Sequence, residues 1–161
     1  MLFNKMISEI TVLKELEDGG QKSVQLGSHP SLGKVVLKKG EINSFSSIER
    51  IRREVSILSE IDSDYFPKQH HFNVDFTNNE FLIVEQYIEG GTLRDNLNMF
   101  SDRGSIFKLI RSLIDGLSII WDKNIVHRDL KPENIIIRPC GNPCIIDLGI
   151  ARFLDLESLT K

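Results

Sequence analysis

The residues best suited to chemistry are His127-Arg128-Asp129-Leu130-Lys131-Pro132-Glu133-Asn134, which put a carboxylate, an ammonium and an amide within six positions. Pro132 stiffens the loop that carries them. An aspartate so placed can orient an attacking hydroxyl and accept its proton. A lysine two residues on can neutralise a moving phosphoryl group, and an asparagine five residues after the aspartate can bind a metal through its carbonyl oxygen. Thirteen residues beyond Asn134 stands Asp147, in Asp147-Leu148-Gly149 at the end of an apolar run. An aspartate there can hold Mg²⁺ against nucleotide phosphates. The bland alternative is a solvated polar turn before a hairpin.

Positioning these groups requires a scaffold, and the sequence offers one in parts. Ile10 to Leu16 is apolar at Ile10, Val12, Leu13 and Leu16; Gly19-Gly20 breaks the run and Val24–Leu26 resumes it. His29-Pro30-Ser31-Leu32-Gly33 is turn chemistry, and Lys34–Lys38 is a short β-branched run, so an antiparallel meander of three strands is expected. Ser46 with Glu49 makes a capping box for a helix whose stripe is Ile48, Ile51, Val55 and Leu58, with Arg50, Arg52, Arg53 and Glu54 off it. Strands are expected at His70–Phe76 and Phe81–Tyr87, joined by Thr77-Asn78-Asn79-Glu80 and stopped by Gly90-Gly91. Thr92 with Asp95 can open a short helix. Ile106, Leu109, Ile110, Leu113, Leu117, Ile120 and Trp121 mark one face of a long helix from about Ser105 to Asp122. Two short apolar runs, Ile135–Ile137 and Ile145–Ile146, bracket a Cys140-Gly-Asn-Pro-Cys144 turn. The order is an α+β pattern, β-rich in its first half and helical in its second.

The segment H-R-D-L-K-P-E-N, followed by a short hairpin and D-L-G, resembles the catalytic loop and metal-binding turn of the eukaryotic-type Ser/Thr protein kinase family. The resemblance covers roughly residues 10 to 153. It implies a kinase-like fold with a β-rich N-terminal lobe, over about residues 8–87 with the hinge, and a helical C-terminal lobe beginning at residue 88. It implies ATP and Mg²⁺, and a protein substrate phosphorylated on Ser or Thr. Asp129, Lys131 and Asn134 are then the catalytic residues, with Asn134 and Asp147 as metal ligands. Val35-Val36-Leu37-Lys38 is similar to the family's V-A-I-K strand, which makes Lys38 the partner of the α- and β-phosphates and Glu54 the helix carboxylate that pairs with it. Leu82–Gly91 looks like the strand and hinge between lobes, where Gln86–Ile88 would offer backbone hydrogen bonds to adenine. His127 is implied to be structural, stacked with Leu58 and Leu148.

The departures lie in the nucleotide site. Against the family's G-x-G-x-x-G-x-V loop, Glu17-Asp18-Gly19-Gly20-Gln21-Lys22-Ser23-Val24 keeps the middle glycine, Gly19, and the valine. Leu16, Gly19, Gly20 and Val24 are carried over as nucleotide-binding, and Gly19-Gly20 would still let backbone approach phosphates closely. No Walker loop occurs. Leu148 replaces the usual Phe of the metal-binding turn. Glu85 falls at the gatekeeper position, usually apolar or Thr. The glycine turn and the V-E-Q-Y hinge also resemble kinase domains embedded in some bacterial peptide-modifying synthetases, which agrees with a bacterial source.

Composition bounds the partners. The chain is 40 % hydrophobic and 27 % charged with a net charge of −3, which disfavours nucleic-acid or anionic-membrane binding by bulk charge. No run approaches the roughly 18 apolar residues of a spanning helix, and the N-terminal residues make a poor signal peptide, so a cytoplasmic protein is expected. The two cysteines, Cys140 and Cys144, are read as free thiols. Only 12 residues follow Gly149 and no Ala-Pro-Glu appears, so an incomplete C-terminal lobe is expected. A truncated chain, self-association, or a second chain completing the lobe would each account for it. Two other functions compete with the protein kinase: a nucleotide- or partner-binding module without catalysis, and a small-molecule phosphotransferase.

Overall fold

β-Branched and aromatic residues in short runs place five strands in one antiparallel sheet: β1 (Thr11–Gly19), β2 (Lys22–His29), β3 (Gly33–Glu41), β4 (Gln69–Asp75) and β5 (Glu80–Gln86), in the order β1-β2-β3-β5-β4. The computed structural model describes residues 7–19, 22–42, 55, 59–127 and 129–147, without side chains at 17–19 and 22. The helix expected over Ser46–Leu58, with Glu54 and Leu58, lies outside the described residues but for Val55, as do Gly20, Leu148 and Gly149. The chain divides into two units, Met1–Glu49 with Lys68–Tyr87, and Arg50–Pro67 with Ile88–Lys161.

In the first unit the expected meander is present, and β3 lies at the centre of the sheet with consecutive residues Val35–Lys38 all buried. Burial on both faces is what a continuous β-branched run signals. One face is built by Val35, Leu37 and Val84, with Ile10, Leu32 and Leu82 packed against them. Gly27 is required there, because a Cβ would meet Ile10 at 2.6 Å and Leu37 at 2.8 Å. A second cluster joins Ile42 and Val74 with Phe72 and Phe81. Strand β1 runs to Gly19 rather than ending near Leu16, and its register slips at Leu13 and Leu16, each an extra residue against β2. Such bulges let an edge strand bend and re-aim its side chains.

In the second unit β6 (Gly91–Thr92), β7 (Ile135–Ile137) and β8 (Pro143–Ile145) form a three-stranded antiparallel sheet. Helix α1 spans Arg103–Trp121, starting two residues earlier than the apolar stripe suggests, because Asp102 is its cap: the carboxylate accepts from Gly104 N (2.7 Å) and Ser105 N (3.0 Å). Asn124, in the left-handed region at φ 58°, ends the helix, and Ile125 N donates back to Ile120 O at 2.9 Å. Leu117 and Ile120 pack with Phe66, Ile125 and Ile145, and Leu109 and Leu113 against Leu93, Ile135 and Ile137. The apolar stripe divides: Ile106, Ile110 and Trp121 lie on the same helix but are exposed.

The short helix expected at Thr92–Asp95 is a single turn followed by a 3-10 turn at Leu97–Met99. Thr92 does accept from Asp95 N at 3.2 Å, as a cap would. The chain just before it is tied to β7, Gly91 opposite Ile137 and Thr92 opposite Ile136, and the turn makes an i→i−4 bond, Asn96 N to Thr92 O at 3.2 Å, before the chain tightens into the 3-10 turn. Gly90 at φ 140° admits the close approach of Ile137 backbone that this pairing needs.

Candidate active site

Strand alternation decides which side chains of the first unit share a face with Lys38. In β3 the residue pairs are Val36 with Glu85 and Lys38 with Ile83; in β2 Val24 faces Lys38 and Leu26 faces Val36. Val24, Leu26, Val36, Lys38, Ile83 and Glu85 therefore line one face, and all are buried. A primary amine buried among valines and isoleucine needs a partner. It has one in Glu85, whose Oε1 lies 2.6 Å from Lys38 Nζ; the side chains are 9 % and 11 % exposed. The sequence reading did not anticipate this pair. Glu85 lies two residues beyond Ile83, which faces Lys38, a diagonal within reach of long side chains that only the register reveals. Glu54, the expected partner, lies outside the described residues.

Of the other nucleotide residues in this unit, Leu16 sits in a β1 bulge and is partly exposed, and Gly19 is paired with Lys22 at the hairpin end. In the expected hinge, Gln86 N donates to Lys68 O at 2.8 Å and Tyr87 N to Lys34 O at 3.3 Å. Those two amides are committed within the unit.

The second unit holds the polar loop. After helix α1 the chain reaches His127, which is buried. Its Nδ1 accepts from Asp129 N at 3.3 Å, so Nε2 carries the proton and donates to Ile146 O at 3.2 Å. Burial pushes the imidazole below its ordinary 6.5, outweighing the Ile146 carbonyl and the carboxylates of Asp147 and Asp129, which favour the charged form. A neutral ring clamping two chain segments is structural, in agreement with the sequence reading.

Asp129, Lys131 and Asn134 do converge. Lys131 Nζ lies 3.1 Å from Asp129 Oδ2, and Asn134 Nδ2 donates to Asp129 O at 2.8 Å and to Oδ2 at 3.2 Å. The buried Asn134 amide thus spends its N–H side on Asp129, which leaves Oδ1, a hard oxygen, as the atom it can offer a cation. Ile146 N donates to Asn134 O at 2.9 Å. That bond continues the β7–β8 register and places Ile146 opposite Asn134, with Asp147 the next residue along the chain. Asp147 itself sits in the left-handed region at φ 54°, a conformation aspartate tolerates and one that recurs at functional sites. The loop is fastened to the β6 turn by Leu93 N to Ile135 O (2.7 Å), Arg94 N to Pro132 O (3.3 Å) and an Arg94–Glu133 ion pair at 2.8 Å. The Arg94 hydrogen bond holds the Glu133 carboxyl below its ordinary 4.5. Nothing in the sequence pointed to that pair, since its members are 39 residues apart and both exposed.

Comparison with known proteins agrees with this geometry. The family model described as "Protein kinase domain" matches residues 8–161. Serine/threonine-protein kinase pkn2 of Myxococcus xanthus is 33 % identical over 160 residues, covering 93 % of this chain and 19 % of that protein. Serine/threonine-protein kinase D of Synechocystis is 31 % identical over 162 residues, covering 92 % of this chain and 31 % of its own length. The chain thus spans between a fifth and a third of the length of these relatives.

Proposed function

The chain belongs to the protein kinase family, and on that premise we propose that it serves an ATP-dependent protein serine/threonine kinase. The observation that carries the reading is the convergence of Lys131 and Asn134 on the Asp129 carboxylate, next to the segment that presents Asp147. Neither a module without catalysis nor a small-molecule phosphotransferase is favoured by the relatives, which are named as Ser/Thr protein kinases.

Asp129 accepts a hydrogen bond from the substrate hydroxyl, orients its oxygen and takes its proton as the bond to the γ-phosphorus of ATP forms and the bond from that phosphorus to the bridging oxygen breaks, ADP being the leaving group. Lys131, already held at Asp129, meets the negative charge of the transferring group. Asn134 Oδ1 and the Asp147 carboxylate suit a magnesium ion: both are hard oxygens, and the Asn134 amide is turned by Asp129 so that its oxygen is the one presented. In the first unit Lys38 and Val24 suit an adenine nucleotide, as a buried cation and an apolar cover; in the second, the Ile88 amide keeps the hinge-donor role that the resemblance implies. When bound, Mg-ATP supplies the transferable γ-phosphoryl group and the neutralising charge of the metal. The substrate is a protein hydroxyl.

Cytoplasmic residence fits Cys140 and Cys144, neither of which is in a disulfide, as a reducing compartment would keep them. Among the described residues, no helix is long and apolar enough to cross a membrane. The test is transfer of radiolabelled γ-phosphate from Mg-ATP to a generic protein substrate and to the chain itself, with Asp129→Asn as control. Label on Ser or Thr from the parent and not from the variant is expected. Equal label from both would overturn the assignment.

A further inference from the structure

We propose that Glu85 is a positioning residue for the nucleotide-binding lysine: its carboxylate holds the Lys38 ammonium in the orientation that phosphates will meet. The proposal rests on the reading of Lys38 as a phosphate ligand and adds a residue to that site. Three observations support it. First, Lys38 Nζ and Glu85 Oε1 are 2.6 Å apart, the distance of a charge-assisted hydrogen bond. Second, neither partner can swing away cheaply. Lys38 leaves the central strand β3, flanked by β2 and β5, and Glu85 leaves β5, flanked by β3 and β4. Third, the pair is walled by Val24, Val36 and Ile83 on the same face, and both side chains are about nine-tenths buried. Water therefore competes poorly for either charge, and the ammonium is held rather than solvated.

This gives a physical reason for an acid at a position where the family resemblance leads one to expect an apolar residue or threonine. It also ties the lysine to the sheet itself. A bond between two strands of one sheet persists as long as the sheet does.

The test uses the 161-residue chain with Glu85→Gln, which keeps shape and removes charge, and Glu85→Met in its place should the glutamine variant not fold. The first readout is nucleotide-free acetylation of lysines by acetic anhydride at fixed pH, resolved by mass spectrometry. Lys39, its exposed sequence neighbour, is the internal reference. Loss of the carboxylate releases the Lys38 amine from its hydrogen-bonded partner, so the Lys38-to-Lys39 ratio should rise about threefold or more. The second readout is steady-state phosphoryl transfer, where kcat/KM for Mg-ATP should fall about tenfold or more with KM for the protein substrate unchanged.

Both changes together support the proposal. An unchanged acetylation ratio overturns it even if activity falls, since the loss would then come from the fold. A changed ratio with unchanged kcat/KM for Mg-ATP overturns the positioning role. A parent chain that pairs Lys38 with Glu85 by acetylation yet binds no Mg-ATP calorimetrically overturns the kinase reading instead, which keeps the two failures apart.

Discussion

A carboxylate that shares its Oδ2 with an ammonium and an amide is held in one orientation, which is what a base needs before its hydroxyl arrives. For that reason Asp129→Asn should lower phosphoryl transfer by about 10²–10⁴-fold while Mg-ATP affinity changes little, because Asp129 meets the hydroxyl and not the nucleotide. Initial rates and calorimetric titration on the same preparation check this; a parallel loss of affinity would show that the residue acts through the metal. Asp147 invites the converse experiment. Its left-handed backbone at φ 54° is tolerated by Asp and Asn but strains most side chains. Asp147→Asn therefore keeps the turn and removes the charge. Mg²⁺-dependent ATP binding should weaken about tenfold or more, with the urea midpoint unmoved. A binding constant equal to that of the parent would take Asp147 out of the metal site.

At the scale of elements, the caps and turns did most to set boundaries, and these were only partly legible. Helix α1 was visible from Ile106 to Trp121 by its period, yet its first turn belongs to Asp102, whose carboxylate accepts from two backbone amides and from no side chain the apolar stripe would flag. Asp102→Ala should lower the urea midpoint with an unchanged slope; no change would mean that tertiary packing alone fixes this end of the helix. The strands of the five-stranded sheet were legible one by one, as a three-strand meander and two further β-branched runs, but not their joining in one sheet. Its register was not, since pairing depends on which residues meet across strands, and so the Lys38–Glu85 diagonal was invisible while Glu85 itself was noticed as unusual. The polar loop was the opposite case. Asp129, Lys131 and Asn134 lie so close in sequence that their spacing alone brings them together, and the structure adds the Arg94–Glu133 clamp that spacing could not reveal. The helix turn expected at Thr92 failed for a long-range reason, the pairing of Gly91 and Thr92 with β7.

For the whole molecule, stability should depend on pH through three of its four histidines. His127, His70 and His71 are all held below the ordinary 6.5, each chiefly by burial, and His70 also by the nearby positive charges of His29 and Lys68. Unfolded, each returns to about 6.5. Above that pH neither state holds the proton, and the contribution of a neutral, packed ring is fully present. As pH falls below 6.5 the unfolded chain takes up protons before the folded one, so stability decreases until the lowered folded pKa is passed. Asp75, Asp102 and Glu133 are also lowered, each first by a hydrogen bond, but from 3.8, 3.8 and 4.5, and all three are exposed. Their contributions are present above those values and fade only in a more acidic window. The urea midpoint should therefore drop between pH 7.5 and pH 5.5, above the window of these three carboxylates. Because the net charge approaches zero near the pI of 5.8, the measurement belongs at low protein concentration, where association does not mimic unfolding. A histidine Cε1 titration by NMR in the folded chain should place the His127 resonance below 6.5. A midpoint that is flat across this range, or a His127 that titrates above 6.5, would mean that the ring is solvated and does not clamp Asp129 to Ile146.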